Sequence, residues 1–477
     1  MNVRTRFAPS PTGFLHVGGI RTALFAFLVA RQANGTFVLR FEDTDKKREV
    51  AGSAEHLISS LKAIGIEYDE GPDIGGSFAP YIQSQRLDHY QKWAQKLIDA
   101  GRAYADPYTS EQIQAFHDEA AAAKRAFRYR DYRPESAGQR TPVWDGTMPL
   151  RFKAEPKSYT YHDEVMGDIT TSPEVVDDFI LIKSDGYPTY NFAHIVDDAE
   201  MEITHVIRGQ EFLSSMPNYL ALYEALDVER PIFAHMPHIM NEQGNKKLGK
   251  RDGAKDVLDY IRDGYMPETM LSFIATMGWN DGTEQEVFTK QELIAKFSLD
   301  RVQKSGARFD EKRLLWMNGH FIRELSIDEL ADRIEFFWSE NAKKAPEAYK
   351  KRVLELAQDR LKTFKDLPAL TSYFFEEPTR NDSLISDNKQ LKKLSTEEIS
   401  HLLGAVKDDL STIDDWSAET IQERLNQLLE ATGQKPAVLF SLIRIVTTWA
   451  PFSPQLNDTL ALLGKEKVLA RIDAATK

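Results

Sequence analysis

Residues 6–19 carry the sequence RFAPSPTGFLHVGG, which is the strongest indication of the fold class of this chain. This segment starts within residues 3–8, which we predict to form a buried strand. Residues 20–33 then place apolar side chains on one helical face, and residues 36–41 alternate as a second strand would. A strand, a helix and a strand in this order form a βαβ unit, which favours a parallel sheet. The sequence therefore predicts an α/β fold.

The glycine-rich turn ahead of this helix predicts a phosphate site. Backbone N–H groups and the positive end of a helix both point at an anion bound there. Gly18 and Gly19 would let a nucleotide approach the backbone, and His16 adds a donor directly before the helix. Ligands of a parallel sheet bind beyond the carboxyl ends of its strands. The residues expected at those ends are Arg6, Ala8, Ser10 and Glu42.

A second segment, KKLGKR at residues 246–251, supplies mobile positive charge. Lys247 and Lys250 can bind the negative charge that grows on a departing pyrophosphate. Together with the phosphate site, these lysines predict adenylation by ATP, with His16, Lys247 and Lys250 as the catalytic residues. The alternative for His16 is a helix cap or a packed side chain, which is the commoner role of a lone histidine before a helix.

Both segments resemble the two ATP-binding signatures of class I aminoacyl-tRNA synthetases, and the surrounding sequence is similar to the bacterial glutamyl-tRNA synthetases. Four further motifs of that family occur in the expected order, and the resemblance covers nearly the whole chain. These motifs are FEDTD at 41–45, YPTYN at 187–191, VIRG at 206–209 and MGW at 277–279. The resemblance implies a Rossmann-like parallel-sheet catalytic domain with an inserted acceptor-binding domain, followed by an all-helical C-terminal anticodon-binding region.

The resemblance also implies an activity and a division into domains. The activity is that of a glutamate–tRNA ligase, which converts L-glutamate and ATP to glutamyl-adenylate and transfers the glutamyl group to the 3′ end of tRNA-Glu. Its implied domains are a catalytic domain at 1–80 and 185–245, an acceptor-binding insertion at 81–184, a stem-contact domain at 246–322 and anticodon-binding domains at 323–385 and 386–477.

Two groups of site residues follow from the resemblance. The ATP-binding group is His16, Gly18, Gly19, Glu211, Ile239, Lys247, Leu248, Gly249, Lys250 and Arg251. The glutamate-binding group is Arg6, Ala8, Ser10, Glu42, Tyr190, Asn191, His194 and Arg208. Arg6 and Arg208 can form fork-shaped, charge-assisted pairs with a carboxylate, and Tyr190 can add a phenolic donor. The alternatives are a solvent-exposed strand end for Glu42 and a structural ion pair for Arg208.

This sequence departs from the family pattern in two places. Gly249 stands where the second signature usually has a serine, so one phosphate donor is lost and we expect altered kinetics without loss of activity. Some family members hold zinc with cysteines that follow an Ala-Tyr pair such as Ala103-Tyr104, but this chain has no cysteine and His117 alone cannot form a tetrahedral site. We therefore predict no zinc, with magnesium arriving on ATP.

Length and composition restrict the class of protein. The 477 residues are enough for about three domains. The longest apolar run, residues 23–30, is far shorter than the roughly 18 residues that a membrane helix needs. The absence of cysteine excludes a disulfide framework. We expect a cytoplasmic, monomeric protein with no membrane segment.

The net charge of −13 argues at first against a nucleic-acid partner. Residues 124–153, however, carry a basic segment interleaved with Phe127, Tyr129 and Tyr132, which could grip RNA backbone and stack on bases. The alternative is a solvated surface. If the substrate is a tRNA, RNA binding becomes the favoured interpretation of this basic segment.

The last third of the chain predicts helices. Ser326 with Glu329 and Ser395 with Glu398 form capping boxes ahead of apolar residues at helical spacing, and a further helix is expected between Ser417 and Gly433. The presence of this region argues against a shortened glutamyl transferase that modifies a tRNA base. The other alternative is a non-catalytic tRNA-binding protein of synthetase descent. The presence of His16, Lys247, Lys250 and Arg208 argues against it.

One residue of this region bears on which tRNA is charged. Family members restricted to tRNA-Glu are thought to recognise the third anticodon base with an arginine, and alignment over the expected helix at 351–361 places Gln358 at that position. Glutamine is neutral and can both donate and accept, so it could tolerate either cytosine or guanine. This predicts charging of tRNA-Gln as well. In the alternative, Gln358 is an ordinary surface residue and Arg360 recognises the base.

Overall fold

The computed structural model describes residues 2–15, 17–136, 138–249, 255–450 and 452–476. His16, Lys250 and Arg251, three of the predicted ATP-binding residues, lie outside these ranges. The chain folds as two compact units. The first comprises residues 1–261 and 270–311, and the second comprises residues 262–269 and 312–477.

The first unit is built on a six-stranded sheet with the order β2-β1-β8-β9-β5-β6. Its pairs are parallel except β5–β6, which is antiparallel. A three-stranded antiparallel sheet, β3-β4-β7, and a parallel pair, β10–β11, accompany it. The strands are β1 (Arg4–Phe7), β2 (Thr36–Leu39), β3 (Ala103–Ala105), β4 (Leu150–Phe152), β5 (Tyr159–Asp163), β6 (Gly167–Thr171), β7 (Ile180–Ile182), β8 (His205–Gly209), β9 (Ile232–Met236), β10 (Ile239–Met240) and β11 (Ala307–Arg308).

Helices pack around these sheets in the first unit and form the second unit. They are α1 (Val17–Gln32), α2 (Ser53–Ala63), α3 (Leu87–Asp99), α4 (Ser110–Ala122), α5 (Tyr190–Glu200), α6 (Met216–Leu226), α7 (Val257–Arg262), α8 (Pro267–Ala275), α9 (Lys290–Lys296), α10 (Glu311–Glu324), α11 (Ile327–Ile334), α12 (Glu347–Ala357), α13 (Leu367–Phe375), α14 (Ser383–Ser386), α15 (Thr396–Ser411), α16 (Ala418–Thr432), α17 (Pro436–Thr448), α18 (Leu456–Leu463) and α19 (Lys465–Thr476).

The predicted βαβ unit is confirmed, with its ends shifted by one to three residues. All four residues of β1 are buried, since β1 lies between β2 and β8 in the sheet. The helix α1 begins earlier than expected and is buried along most of its length. The return to β2 passes through Gly35, where a Cβ would lie 2.1 Å from the carbonyl oxygen of Val3. Only glycine permits that approach of two backbones.

The segment assigned to the acceptor-binding insertion, 81–184, contributes to two different sheets. Its strands β3, β4 and β7 form the separate antiparallel sheet, but β5 and β6 extend the main sheet beyond β9. Asp163, the last residue of β5, pairs in register with Phe233 of β9. Sequence alone gave no sign of this pairing, because strand order depends on contacts between distant residues. The division into five domains, with the catalytic domain in two segments, stays a prediction.

Several basic side chains of the segment at 124–153 form ion pairs with acidic residues of the protein itself. Arg133 forms an ion pair with Asp178, and Arg151 forms one with Asp106 at 2.7 Å. Lys153 pairs with a glutamate at 3.0 Å. These three side chains form ion pairs within the protein, so they are not simply solvated. Binding of RNA by the segment stays a prediction.

The second unit consists of helices around one apolar core. Both predicted capping boxes are confirmed, at Ser326 and at Ser395. Ser417 caps α16 and Gly433 ends it with a left-handed backbone, as expected. The predicted helix at 351–361 instead corresponds to α12 followed by a short 3₁₀ turn at Gln358–Arg360. Among the helices described in both units, none is long and apolar enough to cross a membrane.

Candidate active site

A cavity of about 440 Å³ lies where the carboxyl ends of β1, β8 and β9 meet the start of α1. This is the edge at which parallel sheets bind ligands. Predicted residues of both groups line it: Arg6, Ala8, Ser10, Gly18, Gly19, Glu42, Tyr190, Arg208, Glu211, Ile239 and Lys247. The structure thus brings most of the described candidates to one place.

Four described candidates do not line this cavity: Asn191, His194, Leu248 and Gly249. Asn191 accepts a hydrogen bond from the hydroxyl of Tyr219 at 2.8 Å. His194 is buried and stacks on the ring of Tyr190, with the ring centroids 4.7 Å apart. These two residues support the wall of the cavity.

Arg208 is buried at the cavity with a distinctive set of partners. Its Nε donates to Nε2 of His235 at 3.1 Å, and its Nη1 lies 3.4 Å from Nε2 of His194. Its Nη2 donates to the sulfur of Met216 at 3.0 Å. The guanidinium also lies about 5 Å from the ring centroids of Phe212 and Tyr219.

None of these partners is negatively charged. In the described part of the chain, no carboxylate forms an ion pair with Arg208, so the structural ion pair considered above is absent there. A guanidinium carries five N–H donors, and after the three contacts one donor remains on each terminal nitrogen. Such a pair matches the two oxygens of a carboxylate. A buried cation without a counter-ion is costly, so an anionic ligand would complete the site.

His194 is held neutral beside this cation. Burial is the largest cause and Arg208 adds to it, and together they lower the pKa of His194 to about 3. Its Nδ1 donates to the backbone carbonyl of Tyr190 at 2.7 Å, which leaves Nε2 as an acceptor facing Arg208.

Arg6, in contrast, is fully compensated. It lies on β1, the strand next to β8, and forms a two-pronged ion pair with Asp198 on α5. Arg40 contacts the same carboxylate at 2.8 Å and also donates to Glu42 at 3.0 Å. This buried network fixes Glu42 at the cavity wall, so the alternative of an exposed strand end for Glu42 is wrong.

The carboxyl group of Glu42 titrates near neutrality. Burial raises its pKa to about 7, although Arg40 and Arg6 act in the opposite direction. A cationic ligand at the cavity would lower the pKa of Glu42, because a nearby positive charge favours the ionised form.

The start of α1 forms the opposite wall. Gly18 and Gly19 line the cavity there, and the first turn of α1 has no acidic residue to repel an anion. A Cβ at Gly19 would lie 2.7 Å from Cδ1 of Leu15, so glycine keeps this wall close-packed. At Gly209, a Cβ would lie 2.1 Å from the carboxylate of Glu211, and glycine leaves room for that side chain beside the cavity.

The lysine segment is positioned by a turn. Lys247 forms an antiparallel bridge with Met240 of β10, and the N–H of Leu248 donates to the carbonyl of Ile239 at 2.8 Å. The side chain of Asn241 accepts from the N–H of Asn245 and so closes the turn. These contacts place Lys247 at the cavity, and the described part of the segment ends at Gly249.

Sequence analysis missed Arg21, a buried residue of α1 that lines the cavity. It donates to the backbone carbonyls of Pro237 and Met277 and thereby ties α1 to the end of β9. Burial lowers its pKa to about 10, partly offset by Glu211, and its Nε has no hydrogen-bond partner among the described residues. An arginine in the apolar first half of this helix, three residues after Gly18, was the available signal.

In the part of the chain that the structure describes, no cluster of three or more histidine, aspartate or glutamate side chains could hold a metal ion. His117 stacks on Phe127 with the ring centroids 3.6 Å apart. The expected absence of zinc stays a prediction.

Comparisons with known proteins agree with this geometry. Residues 2–316 match the family described as tRNA synthetases class I (E and Q), catalytic domain, and residues 327–476 match an anticodon binding domain. The glutamate–tRNA ligase of Chlorobaculum parvum is 40% identical, over 98% of this chain and 97% of its own length. Glutamate–tRNA ligase 2 of Caldicellulosiruptor saccharolyticus is 38% identical, over 99% and 98%.

Solved structures give the same result. The crystal structure of a glutamate tRNA ligase from Elizabethkingia meningosepticum, in complex with its amino acid, superposes with a TM-score of 0.87 at 31% identity, covering 100% of this chain and 99% of that one. The predicted Rossmann-like catalytic part, helical anticodon-binding part and family are thus confirmed. With its cavity at the strand ends and its match over both parts, this chain belongs to the class I aminoacyl-tRNA synthetases, in the branch specific for glutamate and glutamine.

Proposed function

We propose that this enzyme is a glutamate–tRNA ligase, which activates L-glutamate with ATP and transfers the glutamyl group to the 3′ end of tRNA-Glu. One observation carries the choice of amino acid. Arg208 is buried at the cavity without an acidic partner among the described residues, and its two remaining donors suit a carboxylate. Glutamine, with a neutral amide, would leave that cation uncompensated.

In this proposal glutamate binds across β1 and β8, the strands that carry Arg6 and Arg208. Its side-chain carboxylate pairs with Arg208, and the hydroxyl of Tyr190 adds a donor. Its ammonium group lies against Glu42 and the strand ends at Ala8 and Ser10. Arg6, already paired with Asp198, acts on glutamate mainly through its positive field and by holding this wall in place.

ATP would occupy the other half of the cavity. The backbone of Gly18 and Gly19, with His16 before them, would cradle the phosphates, and Ile239 would face the adenine. Adenylation requires neutralisation of the pyrophosphate as it departs, which Lys247 and Lys250 supply. Glu211, Leu248, Gly249 and Arg251 complete the proposed ATP site. Magnesium would arrive coordinated by the phosphates.

Recognition of the anticodon is proposed to involve Gln358 in the second unit. Its amide nitrogen donates to the backbone carbonyls of Ile322 at 2.9 Å and Leu325 at 2.7 Å. Both amide hydrogens are therefore used, and Oε1 remains as an acceptor. Cytosine and guanine each carry an amino donor, so this acceptor does not exclude either base. We therefore propose that tRNA-Gln is charged as well as tRNA-Glu.

The remaining parts of the proposal concern the protein as a whole. We propose a monomer that works in the cytoplasm, holds no zinc, and has the five domains set out above. Metal analysis after dialysis tests the zinc statement, and stoichiometric zinc would contradict it. Sedimentation of the purified chain tests the monomer.

Charging assays test the activity itself. Radiolabelled glutamate is incubated with ATP and purified tRNA-Glu or tRNA-Gln, with glutamine as the competing amino acid. We expect glutamyl-tRNA from both tRNAs and none of the glutamine product. Absence of charging on tRNA-Glu would overturn the proposed function. Efficiency on tRNA-Gln below about one-thousandth of that on tRNA-Glu would overturn only the part that rests on Gln358.

A further inference from the structure

Behind Arg208, outside the cavity, lies an aspartate–histidine pair that the proposed mechanism does not use. His235 on β9 is the register partner of Arg208 on β8, so the two side chains stand side by side on adjacent strands. Nδ1 of His235 lies 2.5 Å from Oδ2 of Asp163, the last residue of β5. All three residues are buried.

The carboxylate of Asp163 is firmly held in its ionised form. Its Oδ1 accepts backbone N–H groups from Val165 at 3.1 Å, Met166 at 2.9 Å and His235 at 3.2 Å. Burial opposes ionisation, but the bond from His235 and that from Met166 outweigh it and lower the pKa of Asp163. Since Oδ1 is engaged by three donors, Oδ2 is left for the imidazole.

This arrangement dictates which nitrogen of His235 carries the proton. An ionised carboxylate only accepts hydrogen bonds, so Nδ1 of His235 must be the donor. The other nitrogen, Nε2, is then an acceptor, because burial lowers the pKa of His235 and the ring is neutral. An acceptor at Nε2 is what the Nε–H of Arg208 requires at 3.1 Å.

We propose that Asp163 and His235 are positioning residues for the amino-acid specificity of this enzyme: Asp163 fixes the tautomer of His235, and His235 thereby holds Arg208 in the orientation that receives the side-chain carboxylate. This rests on the proposed function for its substrate. Binding one edge of the guanidinium to a neutral acceptor orients Arg208 without neutralising it. A carboxylate in place of His235 would orient the guanidinium equally well but would compete with glutamate for its charge.

The decisive substitution is Asp163→Asn. The amide oxygen can keep the three backbone bonds, but the amide nitrogen then presents donors to Nδ1 of His235. The imidazole is driven to the other tautomer, in which Nε2–H faces the Nε–H of Arg208. We expect the KM for glutamate to rise about tenfold or more, while the KM for ATP and kcat at saturating glutamate stay within about threefold.

A matched control lies on the same hairpin. His162 of β5 and Asp168 of β6 form another aspartate–histidine pair, with Nδ1 2.7 Å from Oδ1, but it is exposed to solvent. Asp168→Asn removes the same chemical pair at a site away from Arg208. We expect both KM values to equal those of the parent.

A double-mutant cycle separates orientation from damage to the fold. In His235→Gln, an amide oxygen can accept from Arg208 and no tautomer exists. Asp163→Asn added to His235→Gln should then change the KM for glutamate by less than about threefold, against about tenfold in the parent. Equal effects in both backgrounds would overturn the proposal, because the action of Asp163 would not pass through His235.

The tautomer is measured directly by ¹⁵N NMR of the full chain labelled at histidine, with the His235→Gln spectrum assigning the signal. We expect protonated Nδ1 in the parent and in Asp168→Asn, and protonated Nε2 in Asp163→Asn. An unchanged tautomer in Asp163→Asn would overturn the proposal. If the parent fails to charge tRNA-Glu, the proposed function fails, and the NMR result still decides whether Asp163 controls the imidazole.

Discussion

Two buried arginines on neighbouring strands, Arg6 on β1 and Arg208 on β8, line the same cavity. Arg6 has an acidic partner, whereas Arg208 has none among the described residues. Arg6 shares the carboxylate of Asp198 with Arg40, and this network continues to Glu42. Arg208 is surrounded by two neutral imidazoles, a thioether and two aromatic rings. Both side chains are almost fully buried, at 3% and 5% exposure, so burial alone does not distinguish them.

The difference shows how one residue type serves two purposes. The charge of a compensated arginine is largely neutralised by its partner, and removing that partner leaves an uncompensated buried charge that destabilises the fold. An uncompensated arginine lowers the stability of the empty protein but keeps its charge for a ligand. We therefore expect changes on the Arg6 side to act on stability and changes on the Arg208 side to act on binding.

The largest effect is expected for Asp198→Ala, which leaves Arg6 and Arg40 without their shared carboxylate. Removing one member of a buried ion pair typically costs about 3–5 kcal/mol. Urea denaturation should show this loss in the free energy of unfolding, while Arg208→Ala should not lower it. The control is Asp185→Ala, whose exposed pair with Lys183 should contribute at most about 1 kcal/mol. Equal losses for Asp198→Ala and Arg208→Ala would abolish the distinction between the two arginines.

The next largest effect is expected for Lys250→Ala, which acts on neither arginine. Losing one contact to the leaving group typically lowers turnover about 100-fold or more. The rate of glutamyl-adenylate formation should fall to this extent, while binding of glutamate stays nearly intact. Lys246→Ala in the same segment is the control and should stay near the parent. A rate for Lys250→Ala within about threefold of the parent would remove Lys250 from the mechanism.

A smaller effect is expected for Arg208→Ala, and it should appear in the KM for glutamate. A charge-assisted hydrogen bond contributes roughly 1.5–3 kcal/mol, so this KM should rise about tenfold or more. The KM for ATP should change little. Arg208→Lys retains a positive charge without the fork and should fall between the two proteins. An equal rise in both KM values would indicate structural damage.

The smallest expected effect is a pH dependence of kcat/KM for glutamate that comes from Glu42. Burial raises the pKa of Glu42 to about 7, so lowering the pH through this value protonates the group proposed to hold the ammonium of glutamate. The kcat/KM for glutamate should therefore fall on the acid side of about 7 and level off above it. In Glu42→Gln this dependence should vanish. A parent profile that is flat there would show that Glu42 is ionised throughout.

Several elements of the molecule were predictable because their signals are local. The βαβ unit, the capping boxes at Ser326 and Ser395 and the end of α16 at Gly433 each depend on residues within about one or two helical turns. The glycine-rich turn and the lysine segment also identified the family, since their order along the chain is itself a sequence property.

Other features depend on which distant segments meet. The strands β5 and β6 join the main sheet, and this alone brings Asp163 to His235, 72 residues later in the chain. Likewise, the buried contacts of Arg21 with the end of β9 follow from the packing of α1 on the sheet.

Sequence patterns were therefore enough to identify the fold class, the family and the residue types available at the site. The role of each residue depends on the folded arrangement, because the energy of a buried charge depends on its neighbours in space. Arg6 and Arg208 were equivalent as sequence candidates for binding a carboxylate. The packing of α5 against the sheet gave Arg6 the carboxylate of Asp198, whereas α5 and β9 gave Arg208 two neutral imidazoles. That difference leaves Arg208 with a positive charge at the cavity that no described carboxylate pairs with.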